Sequence, residues 1–200
     1  MNVRIQESAD VDPSARIGEG SSIWHLAQVR NDARLGTNVV VGRGAYIGSG
    51  VQIGDNSKVQ NYALVYEPAE IADGVFIGPA AVLTNDTFPR AINADGSQKD
   101  ANDWDAVGVK IEQGASIGAR AVCVAPVRVG AWATVAAGAV VTRNVMPHAL
   151  VAGVPARRIN WVGKSGLPLK QNDAGLWLDT STGETYREIN NAEELEKVTE

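Results

Sequence analysis

A single cysteine stands in 200 residues, so no disulfide can form within the chain. Histidine is almost as scarce: two residues cannot supply a three-imidazole zinc set within one subunit, and no metal site is expected. Aromatic residues make up only 6 %, which rules out a core of stacked rings. No apolar run reaches membrane-spanning length, and the opening MNVRIQESADVDPSARIG holds no apolar signal segment, so a cytoplasmic protein without membrane attachment is expected. The formal charge of -5 argues against nucleic acid as a partner. Helical periodicity is missing until the final NNAEELEKVTE, which reads as a short helix or a disordered acidic tail.

What is present is a clock of six. Ile5, Val11, Ile17, Ile23, Val29, Leu35, Val41, Ile47, Ile53, Val59, Val65, Ile71, Ile77 and Leu83 fall on every sixth position. The beat resumes at Ile111, Ile117, Cys123, Val129, Val135 and Val141. Neither 3.6 nor 2 produces such a period, so it is an internal repeat. A small residue usually stands two places before each aliphatic, as at Ala27, Ala63 and Ala121, and Gly often follows it, as at Gly48 and Gly78. The pattern fits a short strand pointing one branched side chain inward, then a turn requiring Gly or Asn dihedrals. Three units close a triangular coil of eighteen residues, stacked at strand spacing of roughly 4.8 Å. Cys123, on the clock, is expected in the core.

The expected fold is all-β, a parallel β-helix of about six to seven triangular coils spanning residues 1–160, followed by a small appendage and tail over 161–200. The beat fails over 84–110, where about 22 residues are extruded from one corner. Long loops without structure of their own are usually functional. Residues 142–160, broken by Pro147 and Pro155, read as a cap over the open end of the core.

Residues eighteen apart lie above one another in such a stack. Asn31, Ser49, Glu67 and Asn85 form one turn column, at whose top the loop departs; His25, Arg43, Asn61 and Pro79 form another on a different corner. Glu67, one coil beneath Asn85, is a candidate proton acceptor or a solvated turn carboxylate. Arg30 and Arg90 are candidate anion ligands, since guanidinium forks suit phosphates and carboxylates alike, and Lys110 stands where the loop rejoins the body.

The hexad pattern over roughly residues 5–160 resembles the left-handed β-helix acyltransferases. More narrowly, Ile23-Trp24-His25, Val59-Gln60-Asn61, Val65-Tyr66, Phe76-Ile77-Gly78-Pro79, Thr84-Asn85-Asp86 with Phe88-Pro89-Arg90, and Ala149-Leu150-Val151-Ala152-Gly153-Val154-Pro155-Ala156-Arg157 are similar to the nucleotide-linked 3-amino-sugar N-acetyltransferases. The left hand of the helix is carried over from that family, because parallel crossovers are otherwise right-handed. The resemblance implies a homotrimer with active sites between subunits, acetyl-CoA as donor, and a nucleotide sugar bound near the loop. The substrate it implies is UDP-2-acetamido-3-amino-2,3-dideoxy-glucuronate, acetylated on its 3-amine.

Carried over by motif, Asn85 lies at the reaction centre, where its amide holds the acceptor amine toward the thioester; an amide is no general base. Asp86 orders the loop or accepts from the substrate amine. Asn61 joins Glu67, Arg30, Arg90 and Lys110 as a substrate contact. Ala137 and Gly138 border pantetheine, while Arg157, Arg158 and Lys164 meet CoA phosphates. His25 is the candidate base if the acceptor is a hydroxyl. The alternatives are a dTDP-linked 3-amino-deoxy sugar as acceptor, an O-acetyltransferase using His25, and a non-enzymatic solenoid.

Overall fold

Each hexad folds into a strand of two residues, one outward and one inward, as in Ser22–Ile23, Gln28–Val29 and Arg34–Leu35. A computed structural model of the chain describes residues 2–191 and 193–198. The inward aliphatics are sealed: Ile47, Ile77, Leu83 and Ile117 are fully buried, as are the corner alanines Ala63, Ala81 and Ala121. Each large side chain so buried contributes about 1.5–3 kcal/mol, which is ample drive for a repeat that makes no helix. Cys123 lies among them at 0 % exposure, and burial pushes its thiol up to about 12.

Three parallel sheets of seven, six and nine strands form the faces of a left-handed prism; the ninth strand of the largest sheet runs antiparallel. The register is the eighteen-residue step of the sequence, with Ile23 beside Val41, Val41 beside Val59 and Val59 beside Ile77. Across the loop the step becomes forty, as in Ile71 beside Ile111 and Leu83 beside Cys123. Twenty-two residues are thus inserted with no slip of register.

At the far end the step shortens to sixteen: Val129 bridges Val145, and Val135 pairs with Val151. This short coil carries the stack to about eight turns, where the hexad count alone gives six to seven. Ala149–Ala152 is the last parallel strand, and Arg157–Trp161 folds back antiparallel upon it.

The turns correct one expectation. Gly and Asn do hold the left-handed conformation at several corners, but so do Leu26, Tyr62, Ala80, Arg120, Trp132 and His148. Their N–H groups donate to carbonyls of the coil below, for example Tyr62 to Arg43 and Trp132 to Gln113, both at 2.9 Å. Stacking over-determines the turn and holds side chains that an isolated turn would reject.

Beyond the prism, Lys170–Gln171, Trp177–Leu178, Thr185–Ile189 and Glu194–Lys197 form an antiparallel sheet. The tail expected as helix or disorder therefore supplies a strand, because Glu188 and Ile189 pair with Leu195 and Glu194 across the Asn190-Asn191 turn. Ala192, Thr199 and Glu200 of that tail lie outside the described residues. The sheet is joined to the last coils by buried Trp161, whose indole N–H donates to Glu188 at 2.6 Å, and by Arg158, which stacks 4.0 Å from the Trp161 ring centroid. His148 donates from Nδ1 to the Val162 carbonyl at 2.9 Å and lies against Tyr186. Among the described residues no helix is long and apolar enough to cross a membrane.

Candidate active site

The corner between the seven-strand and six-strand faces carries Asn31, Ser49, Glu67 and Asn85 in one column. Ser49 Oγ donates to Asn31 Oδ1 at 2.8 Å, tying the lower members together. Above them the chain leaves the stack. Thr84 Oγ1 accepts from the Ala125 N–H at 3.0 Å, and the Asn85 carbonyl accepts from the Val107 N–H at 3.0 Å. Gly108 packs against the Pro68 carbonyl so closely that a Cβ would overlap it. The loop thus starts and ends at one pinned point, and the Asn85 side-chain amide has no hydrogen-bond partner among the described residues.

Asp86 Oδ1 accepts from the Phe88 N–H at 2.7 Å, an Asx turn that sets the direction of the loop. Further out, the Asn93 amide donates to Ser97 and to Asp103 at 3.1 and 3.0 Å, so the loop is braced by its own polar side chains. Arg90 lies exposed, donating to the carbonyl of Pro89. Lys110 is already part of the returning strand, and its ammonium is 3.1 Å from Glu70 on the charged six-strand face.

Glu67 repeats an arrangement that Asp55 makes over Gly36, Asn61 over Gly42 and Asp73 over Gly54. Its carboxylate folds back over Gly48, where a Cβ would overlap Oε2, and that oxygen is buried without a hydrogen-bond partner. Tyr46 and Tyr66 meet beside it with ring centroids 5.2 Å apart. The Tyr46 phenol is held above its ordinary range, first by burial and then by the Glu67 charge, against the pull of Arg30. Tyr66 entered the sequence reading only through the Val65-Tyr66 motif of the resemblance, and Tyr46 not at all. The available signal was that Tyr46 occupies the outward place just before a clock residue, where it starts a half-buried column with Leu64, Val82, Val122 and Val140.

His25 and Asn61 do share a corner, the neighbouring one, in a shallow pocket of about 260 Å³ with Trp24, Arg43 and Gln60. His25 Nδ1 is 2.9 Å from Ser8 Oγ, and Asn61 Oδ1 accepts from the Arg43 N–H at 2.9 Å. Within one chain the prism keeps this corner apart from that of Asn85. Ala137 and Gly138 continue the His25 corner upward, with open space over the Gly138 Cα. Arg157 is exposed and donates to the Ala156 carbonyl, whereas Arg158 is engaged with Trp161 and Glu188, and Lys164 lies 5.4 Å from the Trp132 ring centroid. The last two cations thus clamp the appendage to the prism. Among the described residues no group of three or more His, Cys, Asp or Glu side chains gathers to hold a metal.

Residues 14–49 and 50–85 match the family described as Bacterial transferase hexapeptide (six repeats), and residues 108–143 match the Hexapeptide repeat of succinyl-transferase. The chain is similar to serine acetyltransferase of Escherichia coli (strain K12), 38 % identical over 43 % of this chain and 31 % of that protein. Serine acetyltransferase 2 of Arabidopsis thaliana is 32 % identical over 80 % of this chain and 35 % of its own length. The chain thus spans about a third of the length of these curated relatives. A hexapeptide-repeat acetyltransferase of Vibrio cholerae, VCA0836, solved with acetyl coenzyme A, superposes with a TM-score of 0.54 at 26 % identity, over 66 % of this chain and 72 % of that one.

Proposed function

Because the chain belongs to the hexapeptide-repeat acyltransferases of the left-handed β-helix fold, we propose that it moves an acetyl group from acetyl-CoA to an amine of a nucleotide-linked sugar. The donor is supported by the Vibrio cholerae relative, which binds acetyl coenzyme A. The observation that carries the acceptor is the unpartnered Asn85 amide at the pinned base of the loop. An amide there accepts from an amine N–H, orients its lone pair, and needs no protonation chemistry of its own.

The finer reading is a 3-amino sugar. A UDP-linked uronate asks for a cation at its carboxylate, and Arg30 and Arg90 are the candidates; a dTDP-linked 3-amino-deoxy sugar asks for none. We place acetyl-CoA along the Ala137-Gly138 edge, with Arg157 toward its phosphates. We take the working form to be a cytoplasmic homotrimer joined through the seven-strand face, where Leu64, Val82, Val122 and Val140 point outward. The six-strand face presents Arg16, Arg34, Glu70, Lys110 and Arg128 instead. A trimer would let the His25 corner of one copy face the Asn85 corner of the next.

A second reading, transfer to a hydroxyl, is favoured by the serine acetyltransferase relatives and would need His25 as base. One experiment separates them: purified protein with acetyl-CoA and, in turn, the UDP-linked amino-uronate, a dTDP-linked 3-amino-deoxy sugar and L-serine, with products identified by mass spectrometry. N-acetyl sugar as the sole product supports the proposal. O-acetylserine overturns it.

A further inference from the structure

A buried carboxylate oxygen without a donor is expensive, and folded chains keep such groups where a ligand completes them. Glu67 Oε2 is such an atom. Gly48 clears the floor on which the carboxylate rests, as Gly36, Gly42 and Gly54 do for Asp55, Asn61 and Asp73, but those three side chains each accept a backbone N–H from the coil below and Glu67 Oε2 accepts none. Arg30 is near enough to act on the Tyr46 phenol, yet it makes no ion pair with Glu67 among the described residues. One coil above stands Asn85, at the same corner. An acceptor-only oxygen shielded from water suits an N–H that is cationic or becoming so.

Acyl transfer to an amine generates such a group, because nitrogen gains positive charge as it bonds to the carbonyl carbon. We infer that Glu67 receives the proton of the attacking amine through Oε2, an inference that rests on the amine-acceptor reading given above. The nitrogen lone pair forms the C–N bond, the carbonyl electrons move to oxygen, and one N–H proton passes to Glu67. On collapse the C–S bond breaks and the departing CoA sulfur takes that proton back. The products are amide, CoA thiol and the original carboxylate, with no other reactant. Asn85 then orients the nitrogen while Glu67 handles its proton, a division that matches what an amide and a carboxylate can each do.

The test is steady-state kinetics of the full chain with acetyl-CoA and UDP-2-acetamido-3-amino-2,3-dideoxy-glucuronate or its dTDP-linked counterpart, alongside melting temperature and oligomer mass. Glu67→Gln should lower kcat for the amino sugar about 10²-fold or more and leave the KM for acetyl-CoA within about twofold. Glu67→Asp should recover part of the rate, with assembly and melting unchanged in both. Wild-type turnover by Glu67→Gln, with the parent enzyme active, overturns the inference alone. So does a rate loss that comes with dissociation or a lowered melting temperature, since the missing donor would then belong to a second copy. A parent enzyme inactive on both sugars overturns the amine reading and this inference with it.

Discussion

The Val107 N–H donates to the Asn85 carbonyl at 3.0 Å, joining the first and last turns of the extruded loop at the corner from which it springs. The bond fixes the backbone of Asn85 and leaves its side chain for other work.

Asn85→Ala should therefore lose activity without losing the fold. Removing one well-aimed amide typically costs about 10²–10³ in rate. Release of CoA thiol measures the rate, and an unchanged melting temperature shows that the prism is intact. A variant at parental rate would remove Asn85 from the chemistry.

Excision of residues 86–107 should leave a folded, inactive solenoid. Joining Asn85 to Gly108 places Ile111 six positions after Leu83, which restores the clock. Circular dichroism and a cooperative melt would report folding. Aggregation of the shortened chain would show that the loop is needed for the stack.

Gly78 and Ile77 test two different aspects of the packing. Ile77 is fully buried, so Ile77→Ala should cost about 2–5 kcal/mol, read from the denaturation midpoint. Gly78→Ala adds an atom where it would overlap the Ala119 backbone of the next coil, so it should destabilise although nothing is removed.

Acid should loosen the appendage before the prism. Burial favours the neutral form of Asp179, but the hydrogen bonds from Ser165 and Ser181 outweigh it and bring the carboxyl to about 2, below its ordinary value of 3.8. A folded-state value below the unfolded one means stability that is complete above about 3.8 and lost as pH falls toward 2. Tryptophan fluorescence should change in that window, reporting Trp161 and Trp177, and Asp179→Asn should flatten the change.

Val122→Glu places a charge on the outward column of the seven-strand face, opposite Val82 and Val140. A trimer joined there should dissociate, and light scattering after size exclusion would show monomer. An unaltered mass would move the contact to another face.

Much of the fold was legible because a solenoid writes tertiary position into residue number. Leu83 and Cys123 could be stacked on paper by removing the loop between them. The turn residues were less legible: Tyr62 and Trp132 hold dihedrals that local preference argues against, and only the hydrogen bond to the coil below explains them. At the site, the Asn85 column followed from counting. The burial of Glu67 Oε2 did not, because it depends on how the side chain folds over Gly48. Arg158 and Lys164, read as phosphate ligands by type, also contact Trp161 and Trp132, a matter of side-chain direction that spacing does not encode.

The sixteen-residue coil has a consequence for growth. A parallel stack ends in an edge that would accept another strand from any chain, its own kind included, and a hexad contains no instruction to stop. The two-residue deficit before Val145 supplies that instruction. It throws the last turn out of step, and the reversal through Arg157–Trp161 then spends the final parallel strand on an antiparallel neighbour of the same chain. On that face the prism has a terminator: a further copy finds no parallel strand there to extend.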